Sequence, residues 1–160
     1  MSDIIAPSRV PGVGEKAPNF TLPTESGGHI SLESLHGRPV VLVFYPADFS
    51  PVCSDQLVIY SEILPEFSRF GAQILGISVD GPWCHKAFAA QRQLDFPLLS
   101  DSHPKGAVAA GYGVYREAQG ISERAIFVID SGGIIRWKLI ADLGDNPGAD
   151  GIIAALESLT

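Results

Sequence analysis

The chain has 160 residues, 46% of them hydrophobic, and a formal net charge of −7 at pH 7. That length suits one domain with a proper core, and the acidic balance argues against nucleic acid or an anionic membrane as partner. No apolar run approaches a membrane span, and Met1-Ser2-Asp3-Ile4 has neither the charged nor the hydrophobic region of a secretory signal, so a cytoplasmic location is expected.

Residues 1–13 hold two prolines and no periodicity, and read as an N-terminal arm. Residues 14–22 read as a turn and short strand, with Gly27-Gly28 as the hairpin turn into residues 29–32. A helical turn is expected over 34–37. Val40-Val41-Leu42-Val43-Phe44 is an unbroken apolar run, the pattern of a strand buried on both faces. Pro46 ends its ladder because it has no N–H to donate. Leu57, Tyr60, Leu64 and Phe67 then recur at three and four residues, a helical stripe. Ser50 is suited to cap that helix and Pro51 to open it. The helix is expected to reach about Phe70, kinked by Pro65.

Residues 73–79 read as the next buried strand. Asp80-Gly81 turns the chain, and Pro82 opens a helix over 83–94. A short strand over 96–99 and a helical stretch over 107–110 follow. Residues 124–129 form a third strong strand, and Ser131-Gly132-Gly133 turns it into an antiparallel partner over 134–140. Apolar residues at helical spacing over 151–159 close the chain. Strand–helix–strand units followed by a hairpin and a helix indicate a three-layer α/β fold with a mixed central sheet.

This reading places Cys53 in the first turn of a helix, where unpaired N–H groups and the positive end of the dipole favour a thiolate. A free cysteine is more often a small buried hydrophobe. Here, however, a proline-rich loop, a hydroxyl three residues upstream and a helix start converge on one sulfur. No Cys-x-x-Cys is present, which argues against a thioredoxin-type disulfide reductase.

The spacing Pro46-x-x-x-Ser50-x-x-Cys53 resembles the Pro-x-x-x-Thr/Ser-x-x-Cys signature of peroxiredoxins, thiol-dependent peroxidases. The resemblance extends from about Gly14 to the C-terminus, and Gly14-x-x-Ala17-Pro18-x-Phe20 matches a common opening of that family. It is closest to the PrxQ, or bacterioferritin-comigratory, and AhpE-like branches. It implies a thioredoxin-like domain over residues 1–160 with an N-terminal β-hairpin extension. It also implies a catalytic set: Cys53 as nucleophile, Ser50 holding its hydroxyl toward the thiolate and peroxide, Pro46 shielding the sulfur, and Arg124 favouring the thiolate and orienting the peroxide. No cofactor and no metal are implied. Arg124 considered alone could equally face solvent or pair with Glu123.

Three positions depart from the family pattern. Ser50 stands where many relatives have threonine, and Gln56 where many have a glutamate supporting the arginine. Val58 occupies the place where PrxQ relatives often carry a resolving cysteine. Cys84 is then the remaining candidate, since some PrxQ-type proteins resolve from this second helix; the alternative is a one-cysteine mechanism with an external thiol. His85 beside Cys84 does not fit usual zinc spacing. Expected partners are a hydroperoxide, a thioredoxin-like or glutaredoxin-like reductant, and a second copy in a homodimer, because loops bearing Phe49 and Trp83 leave apolar surface to cover. Two other classes compete: a cysteine hydrolase needs a histidine base at Cys53, and no histidine occupies a position that the strand pattern ties to that loop, whereas a non-enzymatic peroxide sensor uses the same cysteine and stays open.

Overall fold

The computed structural model describes residues 9–160, so residues 1–8 of the expected N-terminal arm lie outside the described residues. The described chain opens with an antiparallel hairpin, β1 (Thr21–Pro23) and β2 (His29–Ser31), turned through Gly27 at φ 99°. A 3-10 turn (Glu33–Leu35) leads to β3 (Val40–Phe44), followed by α1 (Pro51–Glu62), α2 (Leu64–Arg69), β4 (Gln73–Ser78) and α3 (Pro82–Arg92). Then come β5 (Leu98–Ser100), α4 (Ala107–Gly111), a small pair β6 (Tyr115–Arg116) and β7 (Ile121–Ser122), β8 (Arg124–Ile129), β9 (Ile135–Ala141) and α5 (Asp150–Glu157).

Five strands make one mixed sheet in the order β5-β4-β3-β8-β9. β3, β4 and β5 are parallel neighbours, whereas β8 pairs antiparallel with both β3 and β9. Parallel strands bring the loops after β3 and β4 to the same carboxyl edge. Because β8 runs the other way, its first residue comes to that edge too: Phe44 lies opposite Ala125, one residue from Arg124. This crossing of directions puts Arg124 over the loop that follows β3.

Side chains alternate across the sheet, as strand geometry requires. Val41, Val43, Tyr45, Ile126 and Val128 point to a layer containing Leu57, Tyr60 and Phe67 of α1 and α2, Phe88 of α3, and Ile152 and Leu156 of α5. Leu42, Phe44, Ala125, Phe127 and Ile129 point to the other layer, where Phe20 and Leu22 of the hairpin segment meet Ala109, Tyr112 and Val114. All five β3 residues are buried, and each such aliphatic or aromatic side chain contributes about 1.5–3 kcal/mol. By the same parity Arg124 falls on the helical side, with Ile126 and Val128. Among the described residues, no helix is long and apolar enough to cross a membrane.

Three details differ from the sequence expectation. The helix expected to reach Phe70 does not bend but breaks: Ile63 has φ −100° and ψ 19°, and Pro65 sits in the first turn of the separate α2. A proline ring clashes with the carbonyl four residues back, and restarting the helix relieves the clash. The strand expected over 96–99 is shifted to Leu98–Ser100, because Pro97 offers only its carbonyl, which accepts from Gly76 N–H at 3.0 Å. The pair β6–β7 was not foreseen, since two-residue strands carry no readable period.

Candidate active site

Tyr45 N–H makes the last ladder bond, to the Ile77 carbonyl at 3.0 Å, and the buried Pro46 then turns the chain off the sheet. Phe49 takes φ 68°, a left-handed conformation that costs a side-chain-bearing residue energy and that clusters at functional loops. Its ring rests on Phe88 at 5.1 Å, which anchors the turn. Ser50 occupies the N-cap position of α1 in extended geometry, φ −67° and ψ 142°, and Pro51 fills the first helical position. The expected cap bond from the Ser50 side chain is absent; only its carbonyl engages the helix, accepting from Ser54 N–H at 2.9 Å. The half-buried Ser50 hydroxyl is thus not committed to capping.

Cys53 is the third helical residue and is fully buried. Helix geometry leaves the N–H groups of Val52 and Cys53 without intrahelical acceptors, and these two donors carry the positive end of the dipole. Arg124 is only 2% exposed, and its Nη2 lies 3.4 Å from Cys53 Sγ. The guanidinium is held in a fork. Nε and Nη2 donate to the Leu143 carbonyl at 3.2 and 2.7 Å, and Nη1 donates to Gln56 Oε1 at 2.6 Å. Gln56 Nε2 donates in turn to Tyr60 Oη at 3.0 Å, and Tyr60 donates to the Gly148 carbonyl at 2.8 Å. Burial pushes the Tyr60 hydroxyl up to about 12, so it stays a donor. The alternative pairing of Arg124 with Glu123 does not occur, because Glu123 is taken by Arg116 at 3.0 Å. Gln56 therefore fixes the arginine without neutralising it, and the sulfur is the one partner able to carry the missing negative charge.

A second cluster lies beside the first. Asp48, in the same loop, accepts from Tyr45 Oη at 2.6 Å and meets His85 Nδ1 at 2.7 Å. His85 Nε2 faces the Leu99 carbonyl at 3.0 Å. Both ring nitrogens thus have a hydrogen-bond partner. Asp48 N–H donates to Asp80 Oδ2 at 2.8 Å, and Ser78 Oγ donates to the same oxygen at 2.6 Å. Cys84 sits here, at the third position of α3 after Pro82, as Cys53 follows Pro51 in α1. Burial, with the Asp48 and Asp80 carboxylates adding to it, pushes the Cys84 thiol up to about 12. Both cysteines are free. Ligand atoms of Asp48, Asp80 and Cys84 lie within 4.8 Å of one another, but one oxygen of Asp80 and both of Asp48 are already committed to hydrogen bonds. That suits a hydrogen-bonded clasp better than a cation.

The structure therefore brings Pro46, Ser50, Cys53 and Arg124 to one edge of the sheet, with Cys84 on the neighbouring helix start. Among the described residues no histidine bonds Cys53, and His85 is locked between Asp48 and Leu99, which leaves a hydrolase without its base. Tyr60, Asp48 and the Leu143 carbonyl were not foreseen as site groups. Tyr60 was read as part of the apolar stripe, Asp48 as loop, and a backbone acceptor has no sequence signature. Phe44 and Tyr45 are core, whereas Phe49 and Trp83, at 44% and 82% exposure, stand on the rim.

The sequence profile of the AhpC/TSA family matches residues 13–138. Alkyl hydroperoxide reductase E of Mycobacterium tuberculosis is 41% identical over 134 residues, covering 83% of this chain and 88% of that protein. A putative peroxiredoxin bcp of Coxiella burnetii is 39% identical over 130 residues, 77% of this chain and 84% of that one. The crystal structure of peroxidoxin BcpB from Mycobacterium tuberculosis superposes with a TM-score of 0.83 at 32% identity, covering 92% of this chain and 97% of that one.

Proposed function

The chain belongs to the AhpC/TSA family, the thiol-dependent peroxidases called peroxiredoxins, and from that premise we propose a cycle in which Cys53 attacks a hydroperoxide and Cys84 resolves the product. In the first step the Cys53 thiolate attacks the terminal peroxide oxygen, an S–O bond forms as the O–O bond breaks, and the departing alkoxide or hydroxide is protonated to alcohol or water. Cys53 is left as sulfenic acid. The Arg124 guanidinium and the Val52 and Cys53 N–H groups stabilise the charge moving between sulfur and oxygen, and Ser50 positions the peroxide. Pro46 shields the sulfur from water. The single observation supporting this reading is the buried Arg124 fork, directed at the sulfur with no carboxylate among its partners.

The Cys84 thiol then attacks Cys53 sulfenic acid, forming a disulfide and water. A dithiol protein of thioredoxin or glutaredoxin type returns both cysteines to thiols. The whole chain acts as one domain, working in the cytoplasm, where a dithiol reductant is at hand. It pairs with a second copy through the rim bearing Phe49 and Trp83, whose exposed rings need cover. A coupled assay with thioredoxin, its reductase and NADPH tests the enzyme reading. Wild type is expected to turn over and Cys53→Ser to be inactive. A stoichiometric burst with no turnover under any dithiol would instead favour a peroxide sensor.

A further inference from the structure

The resolving step proposed above needs a movement, and the structure holds a group placed to control it. Cys53 and Cys84 open two neighbouring helices after parallel strands. The two free sulfurs sit in different clusters, Cys53 against Arg124 Nη2 and Cys84 beside Asp48 and Asp80, so forming the disulfide takes at least one of them out of its cluster. What holds these two segments together is Asp48. Its carboxylate takes the Tyr45 hydroxyl and His85 Nδ1, at 2.6 and 2.7 Å, and its N–H reaches Asp80 at 2.8 Å. One residue of the Cys53 loop is thus tied to both sides of the turn that carries Cys84. His85 extends the tie to β5 through the Leu99 carbonyl. Side chains of Asp48 and His85 are fully buried, so water does not replace either partner without opening the structure.

We propose that Asp48 and His85 form a latch of positioning residues that keeps Cys84 away from Cys53 and sets how fast a newly oxidised Cys53 closes onto Cys84. The inference rests on the resolving role given to Cys84 above. Closure joins the two sulfurs, breaks the Cys53 S–O bond and releases water, the Cys84 thiol supplying the proton. Closure competes with a second peroxide, which converts the sulfenic acid to sulfinic acid. While the latch is shut, Cys84 also stays a poor nucleophile, since burial and the two carboxylates keep its proton on. Opening the latch moves Cys84 out of that environment and toward its target at once.

Asp48→Asn, His85→Gln and the milder Tyr45→Phe each remove part of the latch. The readout is the partition per turnover between disulfide and sulfinic acid over a peroxide titration, by intact mass. The expected result is that the peroxide concentration giving half over-oxidation rises, on the order of tenfold for the loss of one charged hydrogen bond. In a Cys53→Ser background the same substitutions should speed alkylation of Cys84, a step that needs no resolution chemistry. Folded far-UV and thermal signatures are required of every variant, and Tyr45→Phe keeps the test alive where the charged variants do not fold. An unchanged or lower half-point in folded variants overturns the latch, as does faster alkylation with an unchanged half-point. Cys84→Ser separates the two levels. If it over-oxidises no more readily than wild type, the resolving role falls; if it does so but the latch variants match wild type, only the latch falls.

Discussion

Arg124 is the bulkiest side chain buried in the described chain, and its contacts are the Leu143 carbonyl, the Gln56 amide and the Cys53 sulfur. A cation taken out of water without a counter-charge costs on the order of several kcal/mol, so this site gains from an anion at the sulfur and again from charge on the peroxide oxygens. Arg124→Ala is therefore expected to slow peroxide consumption by on the order of 10²- to 10³-fold, measured by stopped flow. Arg124→Lys should recover little, because an ammonium does not reach Leu143, Gln56 and the sulfur at once. A rate within about threefold of wild type for Arg124→Ala removes the arginine from the mechanism. Cys84 presents the opposite environment. Its thiol is pushed from 9.0 to about 12, burial first and the carboxylates after it, so the folded chain keeps a proton that the unfolded chain loses between those values. Alkylation of Cys84 at pH 8 should thus be much slower in the folded reduced protein than in urea. By the same linkage, stability from this group falls as pH rises above about 9. Equal alkylation rates with and without urea contradict the environment described for Cys84.

Two helix starts of the same design, proline first and cysteine third, face the same edge of the sheet. That much was legible. The apolar run of β3 and the prolines after β3 and β4 are local patterns whose spatial meaning follows from sheet geometry, whereas the side of the sheet that Arg124 takes follows only from the pairing of β8 with β3. The supports were not legible. Tyr60 has the spacing of a core residue, and only the loop after β9, arriving from 88 positions away, gives its hydroxyl the Gly148 carbonyl. The Asp48–His85 pair joins a loop to a helix across 37 positions with no pattern linking them. Packing between strands sets a further constraint. A Cβ on Gly76 of β4 would come within 2.8 Å of Leu98 Cδ2 and 3.3 Å of Tyr45 Cε1, so Gly76 makes room for the ring that positions Asp48. Gly76→Ala is expected to cost about 1–3 kcal/mol in urea unfolding by overpacking. A stability equal to wild type would show that Leu98 and Tyr45 move aside freely.

At the scale of the whole molecule, one antiparallel strand in an otherwise parallel run makes the site: it brings the start of β8 to the carboxyl ends of β3 and β4. The same edge carries Phe49 and Trp83, and their exposure predicts self-association there. Light scattering at micromolar concentration should exceed the 17.0 kDa of one chain, and Trp83→Ala should lower it. A single-chain mass for wild type contradicts the dimer and leaves the chemistry at Cys53 untouched. That chemistry is the centre of the account, and trapping its intermediate tests it most directly. The Cys84→Ser protein is treated with one equivalent of hydrogen peroxide in the presence of a dione that captures sulfenic acids, then mapped by peptide mass spectrometry. The account predicts one adduct, on Cys53; peroxide consumption with no adduct there contradicts it.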